Sequence, residues 1–254
     1  MNLVCSLKFV HLIMTLAKLP FRGFEELKDS LLHLAFPHLC EGCGTDVVAT
    51  DHFLCLQCLS SLPETAFHLH SANPIEKLFW GRLPLRYATA QYYFTKESMM
   101  QHLMHQFKYR KAKELGAYLG GLMGQSLASS NRFASIDALI PLPLFKGKER
   151  KRGYNQATVL CEGMATAMGK PVLKEAVVRL SHTESQTTKN RIERWQNMEG
   201  RFQVANPKAL EGKHLLLVDD VVTTGATLEA CGRAILEVSG VQLSVATLCF
   251  SSGN

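Results

Sequence analysis

LLLVDDVVTTGATL, residues 215–228, decides how the rest of the chain is read. Four apolar residues, Leu215 to Val218, run into two adjacent carboxylates, Asp219 and Asp220. An apolar run of this kind is a buried strand. The stretch ATLEACGRAILEV (226–238) behind it sets Leu228, Cys231, Ile235 and Val238 at helical spacing. The acids therefore close a strand, and Thr223, Thr224, Gly225, Ala226 and Thr227 feed a helix N-terminus. Amides there lack intrahelical partners and the helix dipole is positive, so a phosphate is favoured. Gly225 lets the backbone curl around it, and the three threonines add hydroxyl donors. The acids would repel that phosphate. Ionised carboxylates only accept hydrogen bonds, so they suit a pair of sugar hydroxyls. The whole stretch asks for a sugar phosphate, with the acids on the diol and the loop on the 5′-phosphate.

Working outward, strands and helices alternate. Strands are expected at 85–94, 136–144, 175–180, 214–220 and 241–250, and helices at 97–109, 111–128, 155–168 and 226–238. Strands separated by helices imply parallel pairing and an α/β sheet covered on both sides. Ligands of such sheets bind beyond the carboxyl ends of the strands, where Asp219 and Asp220 fall. The 254 residues carry 46% hydrophobic and 20% charged side chains, ordinary for a globular chain. The net charge of +6 fits an anionic ligand or nucleic acid. No apolar stretch reaches the ~20 residues of a membrane span. The first 24 residues are apolar with scattered Lys8, His11, Lys18 and Arg22; a weak signal peptide, a short docking helix and a start at Met14 are three readings of them.

Four of the eight cysteines crowd into CEGCGTDVVATDHFLCLQC: Cys40, Cys43, Cys55 and Cys58. Two CxxC pairs supply the four thiolates of a tetrahedral, structural Zn²⁺ site. Two disulfides, a redox pair, and His38 or His52 as substitute ligands are the alternatives. Zinc implies reduced thiols and hence the cytoplasm. Cys5, Cys161, Cys231 and Cys249 sit in apolar settings and read as small core residues.

The stretch LLLVDDVVTTGAT resembles the phosphoribosyl pyrophosphate (PRPP) signature of type I phosphoribosyltransferases. That resemblance implies that Asp219 and Asp220 hold the ribose 2′- and 3′-hydroxyls, and that Thr223, Thr224, Gly225, Ala226 and Thr227 hold the 5′-phosphate. LLHLAFPHLCEGCG (31–44), IPLPLFKGKERKRGYNQA (140–157) and ESQTTKNRIERWQNMEGRF (184–202) occur with it in the order seen in ComF-like competence proteins. The fold implied is α/β: a type I phosphoribosyltransferase-like parallel sheet flanked by helices, with a small N-terminal four-cysteine zinc finger. The expected organisation is an extension at 1–27, the zinc finger at 28–65, a linker at 66–84 and the phosphoribosyltransferase-like domain at 85–254.

The segment 145–153 carries Lys146, Lys148, Arg150, Lys151 and Arg152 against Glu149. Arg152-Gly153 resembles the family's pyrophosphate-binding turn, which makes Lys151, Arg152 and Gly153 pyrophosphate candidates. Contact with nucleic acid and plain solvation are the other readings. The polar stretch 182–200 matches the family's mobile loop, with Gln186, Arg191, Arg194 and Asn197 as its candidates, or else is a surface loop and helix. The resemblance implies a Mg²⁺-dependent, PRPP-using phosphoribosyltransferase of unknown acceptor, with a role in competence and DNA uptake. The alternative is a non-catalytic factor that senses PRPP or holds single-stranded DNA alongside DNA-processing competence proteins. The chain shows no Walker A and no GxGxxG fingerprint, against an ATP-driven motor or a Rossmann oxidoreductase.

Overall fold

Residues 38–49, 52–109, 112–180 and 202–251 are described by the computed structural model of the chain. Residues 1–27 and the mobile-loop candidates Gln186, Arg191, Arg194 and Asn197 lie outside them. The chain divides into two compact units, one ending at Ser60 and the other beginning at Ser61. In the first unit, turns at 40–46 lead to the short helix α1 (Leu56–Ser60).

The second unit opens with a 3₁₀ turn at Phe67–Leu69 and helix α2 (Pro74–Phe79). Asn73 caps α2 by accepting the amides of Ile75 and Glu76, and Pro74 stands in its first turn, where a missing N–H costs nothing. Then follow β1 (Ala88–Tyr93), α3 (Met99–Tyr109), α4 (Lys113–Ala128), β2 (Ala138–Pro141), α5 (Lys146–Arg152) and α6 (Gln156–Met168). A ribbon of β3 (Val177–Arg179) and β4 (Phe202–Val204) precedes β5 (His214–Val222), α7 (Ala226–Leu236) and β6 (Gln242–Phe250).

Four strands form one parallel sheet in the order β1-β6-β5-β2. Its two faces follow the period-2 alternation of a strand. Leu215 and Leu217 of β5, with Leu243, Val245 and Ile140, pack against Ile75 and Phe79 of α2 and Leu228, Cys231 and Ile235 of α7. Leu216 and Val218 point the other way and are fully buried; α6 contacts β5 and β2, and α4 lies against α6.

Four expectations change. The stretch 175–180 is not part of the parallel sheet: β3 pairs antiparallel with β4 alone. Its partner β4 is likewise three residues long, and the two strands satisfy each other's backbone groups. The stretch 66–84 is not a spacer: α2 buries Ile75 and Phe79 in the core, and Leu83 joins them. Residues 61–65 also belong to the second unit, where Glu64 bridges Tyr92 and Tyr93 donates its amide to the Pro63 carbonyl at 2.8 Å, covering the free edge of β1. Strand β2 stops at Pro141 rather than 144, because Pro141 and Pro143 have no amide for the ladder.

Helices α4 and α6 meet through glycines. A Cβ on Gly163 would lie 2.0 Å from the Ala117 carbonyl oxygen, and one on Gly120 would lie 2.4 Å from that of Leu160. A Cβ on Gly121 would touch nothing within 4 Å. Gly163→Ala is therefore expected to cost about 1–3 kcal/mol by overpacking. That lowers the melting temperature by about 2–4 °C per kcal/mol in a domain of this size. Gly121→Ala is expected to be neutral or to raise it, through helix propensity. Thermal melts of the two variants check the contrast; equal melting temperatures would mean the helices can part without cost.

Candidate functional site

In the first unit the Sγ atoms of Cys40, Cys43, Cys55 and Cys58 all lie within 4.8 Å of one another. The Cys43 and Cys55 sulfurs are 3.7 Å apart, far beyond the ~2.05 Å of a disulfide. A tetrahedron with metal–sulfur bonds of about 2.3 Å has sulfur–sulfur edges of about 3.8 Å. The cluster therefore has the size of a metal site. Backbone amides also point at the sulfurs: Cys55 N–H donates to Cys40 Sγ at 3.2 Å and Gly42 N–H at 3.4 Å. Burial alone would raise the Cys40 thiol, but amides of Cys55, Cys43 and Gly42 outweigh it and bring its pKa down to about 6. Burial pushes the Cys58 thiol up. Four thiolates this close repel one another unless a cation lies between them, so the donor set fits a metal ion. His38 is not in the cluster; its Nε2 lies 2.6 Å from the His52 carbonyl oxygen.

In the second unit β5 outruns β2. The pairing with β2 ends at Pro141–Val218, while that with β6 continues to Val222–Phe250. Asp219 and Asp220 thus begin where the neighbouring strand stops, and both are half-buried. Lys108, in the last turn of α3, pairs with Asp220: its Nζ is 3.0 Å from Oδ2. Asp219 accepts the amide of Asp220 at 2.8 Å. Burial first, and the charge of Asp220 second, push the Asp219 carboxyl up to about 8, against the pull of that amide, Lys108 and Arg152.

The loop after β5 turns at Gly225, whose φ of 71° favours glycine. A Cβ there would also lie 2.8 Å from the Phe79 ring. Gly225 is the N-cap of α7 and provides no side-chain cap; Glu229 N–H is bonded to the Gly225 carbonyl at 2.8 Å. The amides of 226–228 have no helical carbonyl to reach. Thr223, Thr224 and Thr227 are at the surface beside them. Arg82 steadies this loop: its Nη1 donates to the Thr224 carbonyl at 2.9 Å and its Nε to Glu229 Oε2 at 2.9 Å. Burial works to raise the Glu229 carboxyl, but the guanidiniums of Arg233 and Arg82 outweigh it and hold it below the usual carboxylate range.

The basic segment is a helix, α5. It buries none of its residues and sets Lys146 against Arg150 and Lys148 against Arg152 at i,i+4, a destabilising arrangement. Arg152 is turned inward. It donates to Gln156 Oε1 at 2.6 Å, and its guanidinium lies 5.8 Å from the Tyr109 ring centre. Lys151 is exposed. Gly153 ends α5 at φ 86°, and its amide is taken by the Glu149 carbonyl at 2.7 Å. The residues after it act as pins. Tyr154 donates its hydroxyl to the Phe107 carbonyl, and Asn155 donates to the Leu142 carbonyl at 2.9 Å while capping α6.

The structure thus brings Asp219, Asp220, the 223–227 loop and Arg152 to the carboxyl edge of β5. Lys108 and Arg82 are residues that sequence reading missed. Lys108 sat in an amphipathic helix read for its apolar face, and Arg82 sat in the supposed linker; neither position carries a local signal.

The phosphoribosyl transferase domain family matches residues 156–253. DNA utilization protein YhgH of Escherichia coli K12 is 29% identical over 222 residues, which cover 85% of this chain and 92% of the relative. Competence protein F of Haemophilus influenzae is 27% identical over 218 residues, 84% of this chain and 91% of the relative. Competence protein ComFC of Bacillus subtilis is 33% identical over 150 residues, 57% of this chain and 56% of the relative. The domain match includes Asp219 to Thr227 and excludes Arg82, Lys108 and Arg152.

Two outcomes are expected of this geometry. Elemental analysis should find about one metal ion per chain, lost when Cys43→Ser is combined with Cys58→Ser. Full metal retention in the double variant would disprove the four-sulfur site. For Asp219, the folded chain holds a proton more tightly than the unfolded chain, whose acid titrates near the ordinary 3.8. The folded state then binds more protons between pH 4 and about 8, so this group lowers stability as pH rises through that window. Asp219→Asn should melt several degrees above the parent at pH 8, with the difference shrinking towards pH 4. A difference independent of pH would show that the acid is already ionised in the folded chain.

Proposed function

The chain is a relative of YhgH and of the ComF-type competence proteins and carries a phosphoribosyl transferase domain; from that premise we propose that its second unit binds PRPP with Mg²⁺. The observation that carries the proposal is the acid pair at the open end of β5, joined by 223–227 to an uncapped helix N-terminus. In this reading Asp219 and Asp220 take the ribose diol, and the amides and hydroxyls from Thr223 to Thr227 take the 5′-phosphate. Arg152, with Lys151 beside it on α5, takes the pyrophosphate. Gly153 contributes as the turn that ends α5 rather than through its amide. Gln186, Arg191, Arg194 and Asn197 would close over the bound ligand and exclude water.

Bound Mg²⁺ would supply charge neutralisation for the pyrophosphate leaving group. The carboxylates on offer to the ion at this edge are Asp219 and Asp220, and hard cations of this kind rely largely on ligand phosphates and water. Displacement at ribose C1 then depends on positioning and charge neutralisation rather than on a covalent intermediate. We read the metal in the first unit as structural zinc, because four sulfur ligands leave no open position. Reduced thiols make the cytoplasm its compartment. The names of the relatives support a role in natural competence and in the use of DNA taken up.

A second reading, a non-catalytic factor that holds single-stranded DNA, is favoured by one observation: the five cations of α5, a helix that buries no residue. PRPP with Mg²⁺ at 100 times its Kd is expected to stabilise the chain by about 2.7 kcal/mol. Asp219→Asn with Asp220→Asn should abolish the thermal shift, and an unchanged shift would locate the site elsewhere. Lys151→Ala with Arg152→Ala should weaken PRPP more than ribose 5-phosphate. If these two changes instead leave PRPP intact and flatten the salt dependence of single-strand binding, by about 0.7 in log–log slope per lost contact, the second reading holds.

A further inference from the structure

The ion pair between Lys108 and Asp220 has no counterpart in the sugar phosphate argument, which gives Asp220 to a diol. We propose that Lys108 is a specificity-determining residue. By holding Asp220 in the free site, it selects ribose phosphates that carry a second anionic group next to the diol. The proposal rests on the reading of this site as a ribose phosphate site and deepens it.

Lys108 Nζ and Asp220 Oδ2 are 3.0 Å apart, with side chains 20% and 14% exposed. A ligand hydroxyl that donates to Asp220 shares that carboxylate with the ammonium and weakens its hold on it, in a place with little water. The ammonium's charge is then less well compensated, which is costly where a pair is shielded from solvent. The helix cannot relieve that by moving away. Met100, Leu103, Met104 and Phe107 of α3 are buried, and the Phe107 carbonyl accepts the Tyr154 hydroxyl. Only the flexible stem of Lys108 can adjust.

A neutral diol offers the ammonium only hydroxyl oxygens, with no charge. A ligand with a phosphate beside the diol offers it a new anion, and one that Arg152 can share. Arg152 is held in place by Gln156, and its charge reaches Asp219. The exchange of partners makes binding of a 1-phosphorylated ribose cheap. It leaves ribose 5-phosphate, whose anion lies at the far end of the sugar, at a disadvantage.

Titration calorimetry on the full chain tests this with PRPP plus Mg²⁺ and with ribose 5-phosphate. The parent, Lys108→Met and Lys108→Arg are compared, each first confirmed folded by its melt. Loss of a charge-assisted contact is expected to cut the PRPP to ribose 5-phosphate affinity ratio about 10-fold or more in Lys108→Met. Ribose 5-phosphate should bind Lys108→Met as tightly as the parent or tighter, and Lys108→Arg should keep most of the ratio. Equal loss of both ligands, or no change in the ratio, overturns the role of Lys108 while leaving the site intact. A parent chain that binds neither ligand overturns the reading of the site itself, and this proposal with it. A Lys108→Met chain that does not fold leaves the Lys108→Arg ratio to decide: retention supports an anion contact, and collapse to the level of ribose 5-phosphate refutes it.

Discussion

Consecutive residues of a strand point to opposite faces, so two adjacent acids at the end of a buried strand face different surroundings. The second unit is organised around that constraint. Asp220 faces the α3 side and is met by Lys108. Asp219 lies on the face of Leu215, Leu217 and α7, and its carboxyl is raised by burial and by its neighbour. Asp220 has a cation against it, and the charges of Lys108 and Arg152 partly offset what burial does to Asp219. These cations are how a central strand can end in two carboxyls without unfolding the sheet edge.

The 223–227 loop has a comparable dependence on distant chain. Gly225 can hold its left-handed turn because it is glycine, but Phe79 lies so close beneath it that any side chain would collide. Arg82 then ties the Thr224 carbonyl to Glu229 of α7. Both supports come from residues 66–84. The loop is thus a joint product of the strand that enters it and a segment far earlier in the chain, and rigid support of this kind is what a preorganised anion site needs.

The first unit solves a different problem. Its described part is small, and Leu54 is buried there beside Cys40, Cys55 and Cys58. In a module with so little core, a metal held by these four sulfurs would supply much of the stability; structural zinc sites contribute on the order of 10–16 kcal/mol. The amides aimed at Cys40 serve the same end, since they favour the thiolate that a metal binds.

Local pattern was enough for the strand–acid–acid–loop–helix order at 215–236, for the paired CxxC motifs and for the alternation that gives a parallel sheet. Each of these is a periodicity or a spacing, and backbone geometry converts it directly into structure. The same pattern misread β3, which pairs with the strand returning to it, and left α5 unread, because a helix of like charges with no buried residue carries no apolar period. It also gave no hint of Lys108, Arg82 or Phe79 at the site. Those residues matter through partners more than a hundred positions away in the chain. Only packing brings them together: the tertiary structure decides which charge faces which acid, because Coulomb energy and steric contact depend on distance in space and not on separation along the sequence.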